Sequence, residues 1–170
     1  MTAEERRLRP EHHVVNDYAN LVRTGILVTT AQLNLDLERA HWANGHVWEM
    51  FYVNCRKMFE FFSYGPHTKY LRAADFLAQR VEFPFAHWDR AVQDFMSAHI
   101  LHVGAGRLNN TVIMDGHDDP LYLADFQKAW GLLMANLKPE HKDTFREEID
   151  YRLTNPAFGI CGKLGSEFIG

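Results

Sequence analysis

Phe51-Tyr52-Val53-Asn54-Cys55-Arg56-Lys57-Met58-Phe59-Glu60-Phe61-Phe62 decides the fold. Extended back to His46, the run carries apolar side chains at Val47, Trp48, Met50, Phe51, Tyr52, Val53, Cys55, Met58, Phe59, Phe61 and Phe62. On a helical wheel these positions cover nearly the whole circumference, which predicts a central, buried helix. Only Glu49, Asn54, Arg56, Lys57 and Glu60 interrupt it. Ser63-Tyr64-Gly65-Pro66 ends it, because proline cannot continue a helix.

The flanking sequence is helical as well. Upstream, Val14, Tyr18, Leu21, Val22, Gly25 and Val28 recur at helical spacing, and the run continues to Leu33 and Leu37. Asn16 or Asp17 suits its start, and Asn44-Gly45 reads as a break before the central helix. Downstream, residues 67–84 read as a connection with a short turn at Ala73-Ala74-Asp75-Phe76-Leu77. A third helix is expected from about Phe85 to Val103, with Trp88, Ala91, Val92, Phe95, Met96, His99 and Val103 on one stripe. Gly104 and Gly106 would terminate it. Residues 107–120 read as a polar loop, followed by helices over about Leu121–Leu137 and Pro139–Leu153. The tail, 154–170, is glycine-rich and reads as irregular. The expectation is one all-α domain spanning 1–170. It is an up-down helical bundle of about five helices with one or two longer connections.

Composition narrows the class. At 46% hydrophobic and 13% aromatic, the 170-residue chain can bury a sizeable core and is not disordered in composition. With 18 Lys+Arg against 22 Asp+Glu, a broad electrostatic grip on nucleic acid is not indicated, although a local basic patch is compatible with that balance. Cys55 and Cys161 form no CxxC pair, so no disulfide framework is expected and a reducing cytoplasm fits. Met1 leads into Thr-Ala-Glu-Glu-Arg-Arg without an apolar region, so no signal peptide is expected. No apolar run approaches the roughly 20 residues of a membrane span.

The chemistry-bearing stretch is Ser97-Ala98-His99-Ile100-Leu101-His102-Val103-Gly104-Ala105-Gly106-Arg107. His99 and His102 share a helical face. Imidazoles aimed at a core need partners, so the pair is either a structural polar knot or a site. Arg107 follows glycines that let backbone approach a ligand, and its guanidinium suits a phosphate. No GxGxxG or GxxxxGK[ST] pattern is present. Arg56 sits in the apolar helix with Glu60 one turn on, in reach of an i,i+4 pair. Asn54 beside it is a candidate binding residue together with His99.

Other constellations read as bland. Glu38-x-x-His41 has the spacing used in di-metal bundles, but no second copy exists, and His46-x-x-Glu49 does not supply one. A metal at His99 and His102 would need ligands from another helix. No cofactor is expected. Cys55 reads as buried and inert, and no serine sits in a nucleophile elbow.

Three blocks carry a resemblance: Phe51–Phe62, Ala73-Ala74-Asp75-Phe76-Leu77, and His99–Arg107. Over roughly residues 45–107 they resemble a group of uncharacterised bacterial helical proteins, a group similar to HEPN-like bundles. That resemblance implies a helical fold that dimerises, and a role as a ribonuclease, a nucleotide binder or a structural partner. Its ribonuclease members place an arginine shortly before a histidine. Here Arg90 precedes His99 by nine residues, and His102–Arg107 runs in the reverse order, so no catalytic residue carries over by the motif. The leading expectation is a binding or interaction module, homodimeric, with a His/Arg cluster. The alternatives are a metal-independent ribonuclease and a metal-binding helical enzyme. In the ribonuclease reading His102 acts as general acid/base, while Arg107 or Arg56 stabilises phosphate charge; RNA or a nucleotide would be the partner.

Overall fold

The computed structural model describes residues 2–30, 37–63, 70–96 and 118–154. Among these the fold is all-α. Its helices are α1 (Ala3–Arg7), α2 (Pro10–Thr30), α3 (Leu37–Phe62), α4 (Ala73–Phe76), α5 (Arg90–Met96), α6 (Asp119–Ala135) and α7 (Pro139–Thr154). The described residues contain no β-strand; one isolated antiparallel bridge joins Leu77 to Leu137.

Local chemistry explains the ends. Thr2 and Glu5 form a capping box that starts α1: the Glu5 amide donates to Thr2 Oγ1, and the Thr2 amide donates to Glu5 Oε2 at 2.7 Å. Proline opens α2 and α7, where its missing amide hydrogen is no loss.

Helix α2 packs against α3, α6 and α7. It buries Val14, Val15, Tyr18, Leu21, Val22 and Val28, the stripe that periodicity predicts. Gly25 lies on that stripe for a steric reason. A Cβ there would come within 2.9 Å of Leu123 Cδ1 and 3.0 Å of Phe51 Cε2, so glycine allows α3 and α6 to close on α2. Helix α3 contributes Phe51, Tyr52, Cys55, Met58, Phe61 and Phe62, and α6 contributes Tyr122, Leu123, Phe126, Ala129, Trp130 and Leu133. Tyr18 stacks on Trp130 at 4.0 Å with the rings nearly parallel.

Three expectations are corrected. First, α3 runs through Asn44-Gly45 instead of starting after it. A glycine inside a helix costs only about 1 kcal/mol, which a 26-residue packed helix tolerates. Second, α3 is not buried all round: Met50 is 52% exposed, and Trp48, Val53 and Phe59 are half-buried. Third, the third expected helix begins at Arg90, not Phe85. Asp125 of α6 accepts the amides of His87 at 2.6 Å and Trp88 at 2.9 Å, which takes those groups out of any helix. Asp89 then caps α5 by accepting the Val92 amide at 2.8 Å. The short turn at 73–77 forms as α4, and α6 and α7 lie within two residues of their expected bounds.

Candidate functional site

Trp88 is the centre of the most unusual polar chemistry in the fold. It is fully buried, and its indole Nε1 donates to Gln93 Oε1 of α5 at 3.1 Å. Tyr122 of α6 meets its ring edge-on at 5.1 Å, and Tyr52 of α3 lies 6.2 Å away. Tyr52 in turn donates its hydroxyl to Asp119 Oδ1 at 2.8 Å, with both residues buried. Asp119 is the first residue of α6 and Met96 the last of α5, and both are buried. The two flanks of residues 97–117 are thus fixed at their ends, and α5 and α6 meet at Trp88.

The electrostatics of this cluster oppose ionisation. Burial, reinforced by the neighbouring Asp119 carboxylate, pushes the Tyr52 hydroxyl far above the usual tyrosine range. The same two causes raise the Cys55 thiol. Tyr122 is pushed up to about 12 by burial, then by Asp118 and Asp119. Asp125 behaves oppositely. Burial raises it, but hydrogen bonds from the amides of Trp88, His87 and Ala86 outweigh burial and hold its carboxyl below the usual range. A thiol and a phenol kept protonated and out of water do not serve as nucleophile or base at neutral pH. As expected, Cys55 is buried and inert in character.

Of the sequence candidates, the structure describes two. Asn54 is buried, and its Nδ2 donates to Thr24 Oγ1 of α2 at 3.4 Å, while that hydroxyl donates to the Asn20 carbonyl at 2.7 Å. The side chain thereby ties α3 to α2. Arg56 makes the expected i,i+4 pair: its Nε donates to Glu60 Oε1 at 3.0 Å, on a partly exposed face. The two side chains bind separate partners. His99, His102 and Arg107 lie outside the described residues, as do the side chains of Glu38, His41 and His46.

A second cluster escaped sequence reasoning. Glu148 of α7 is fully buried, and it accepts from Arg6 Nη1 at 2.8 Å and pairs with His12 Nδ1 at 2.9 Å. Arg6 also lies over the Tyr151 ring at 4.0 Å. Glu11 pairs with His141 at 2.6 Å, and Arg9 with Glu147 at 3.3 Å. Arg152 is buried beside them; burial lowers its pKa, and Glu148 works against that. The only sequence signal was chemical: a carboxylate at the buried spacing of Phe145 and Ile149 demands cationic partners. Which partners was invisible, since they lie more than 130 residues away. This cluster clasps the two ends of the described chain.

Among the described residues, no three His, Cys, Asp or Glu side chains stand together to hold a metal ion. No helix among them is long and apolar enough to cross a membrane. No protein-family pattern, no curated protein and no solved structure matches this chain.

Proposed function

We propose that the protein is a binding module in which an all-α scaffold presents the segment 97–117, with His99, His102 and Arg107 as its ligand-facing groups. One observation carries this reading. The flanks of that segment are anchored by buried polar bonds, Gln93 to Trp88 on one side and Asp119 to Tyr52 on the other. Preorganised ends lower the ordering cost of a binding segment. The scaffold's own ionisable groups support the reading too, because they are engaged with one another: Glu148 with Arg6 and His12, Asp125 with backbone amides, Arg56 with Glu60. On this reading the helices form an up-down bundle of HEPN-like kind that associates as a homodimer, and the ligand is RNA or a nucleotide held through its phosphates.

The test is fluorescence anisotropy with a labelled single-stranded RNA of mixed sequence, followed by gel analysis of the same RNA. Saturable binding without cleavage, lost in His102→Ala/Arg107→Ala, is the expected result. Cleavage of the RNA that His102→Ala abolishes would replace this reading with a ribonuclease. Absence of binding, together with stoichiometric metal in protein purified without metal affinity, would replace it with a metalloprotein. Light scattering at micromolar concentration should give the dimer mass, and a monomer mass would remove the homodimer.

A further inference from the structure

We infer that Glu148 and Tyr151 form a binding seat for the arginine side chain of a peptide, kept closed by the chain's own Arg6. The seat owes nothing to the proposed role of segment 97–117. It is built on α7. Glu148 is fully buried, and its Oε1 accepts from Arg6 Nη1 at 2.8 Å. Tyr151 stands three residues on, on the same helical face, and its ring lies 4.0 Å from Cζ of the same guanidinium. A carboxylate at the edge and a ring against the face are the two contacts that recognise a guanidinium; an ammonium has no plane to stack. His12 Nδ1 pairs with the other carboxylate oxygen, Oε2, at 2.9 Å, so Oε1 is left to the arginine. Arg152 is buried one turn further along α7, and its charge opposes that of Arg6. A cation entering the seat must offset that repulsion with directional contacts, which again favours a guanidinium.

The present occupant is not locked in by packing. The side chains from Glu4 to Arg7 all stay at least partly exposed, and Leu8, which follows α1, is 80% exposed. The contacts that tie this segment to α7 are ionic or cation–π: Arg6 with Glu148 and Tyr151, and Arg9 with Glu147 at 3.3 Å on the exposed rim. An exposed ion pair contributes little, so Arg6 is the principal anchor of α1. Helix α2 is held differently. Its buried stripe begins at Val14, and Glu11 pairs with His141 of α7 at 2.6 Å. The α2–α7 packing therefore keeps the shape of the seat when α1 lifts away. A buried carboxylate without its cation is costly, so the vacated seat demands a replacement of the same kind.

The probe is N-acetyl-arginine amide, with N-acetyl-lysine amide at equal concentration as the control for charge and co-solvent effects. Binding is read as the rise in thermal midpoint and as saturation transfer from the protein to the ligand's side-chain methylenes. Arg6→Ala empties the seat. A dissociation constant of about 5 mM should raise its midpoint by about 3–5 °C at about 50 mM arginine amide, against under about 1 °C with the lysine amide. The parent, whose seat is filled, should need at least about tenfold more arginine amide for the same saturation transfer. Arg6→Ala/Glu148→Gln should show none above the lysine control. Equal responses to the two ligands in Arg6→Ala would overturn the seat, as would a parent that binds as readily as the variant. Should Arg6→Ala fail to fold alone, recovery of a cooperative transition with the arginine amide and not the lysine amide is the expected result. Recovery with neither, or with both alike, would overturn the seat.

Discussion

Tyr52 and Asp119 show how a single buried pair fixes two helices. Tyr52→Phe keeps the ring and deletes the donor, leaving a buried carboxylate oxygen without the 2.8 Å bond. The expected loss is about 1–3 kcal/mol in denaturant unfolding. The pair also sets an alkaline limit. Tyrosine in an unfolded chain ionises near pH 10, whereas folded Tyr52 is held far above that by burial and by Asp119. Its contribution is therefore intact below about pH 10 and is lost as pH rises beyond it. Tyrosinate absorbance of the folded protein should be the same for parent and Tyr52→Phe up to about pH 11, and a step missing from the variant would contradict this. Asp125 sets the acid side. Its folded pKa is depressed, so its contribution is present above about pH 3.9 and lost as pH falls through the folded value. Asp125→Asn should destabilise by about 1–3 kcal/mol near neutral pH, with the gap to the parent shrinking in acid. At this scale the sequence was partly legible. The Arg56–Glu60 pair and the buried Cys55 follow from spacing on one helix. Asp125 and Glu148 do not, because their partners come from distant parts of the chain.

Helix existence was the most legible property, since apolar spacing reports it directly. Helices α6 and α7 stand close to where periodicity puts them, whereas α2 begins at Pro10, ahead of the expected Asn16 or Asp17, and ends at Thr30, with Leu37 opening α3 instead of continuing α2. Boundaries failed where long-range bonds override local pattern. Residues 85–88 continue the apolar stripe of α5, yet Asp125 captures two of their amides and delays the helix to Arg90. Asn44-Gly45 failed for the opposite reason, since packing along α3 outweighs a modest glycine penalty. Gly25 is a sharper case, because its role depends on who approaches it. Gly25→Ala gains up to about 1 kcal/mol in helix propensity but forces Leu123 and Phe51 apart, so a net loss of about 1–2 kcal/mol is expected by chemical denaturation. Unchanged or higher stability would mean that the α2–α3–α6 contact can relax.

The described residues form an all-α fold whose ends are joined through Glu148. Replacing that residue by glutamine removes the charge that Arg6 and His12 share. The expected cost is about 3 kcal/mol, together with faster amide exchange in α1 and the first turns of α2. The fold class was legible because most segments share one period. The candidate site was legible only as a composition of residue types, His99, His102 and Arg107, with nothing in their spacing to name a ligand. On the proposed function His102 binds the ligand, and other residues carry the packing. The most direct measurement is the unfolding free energy of His102→Ala against the parent. A change within about 0.5 kcal/mol is expected, because a residue held for binding contributes little to packing. A loss of about 1–3 kcal/mol, the cost of unsatisfied buried partners, would instead make the histidines a structural knot and contradict the proposed function.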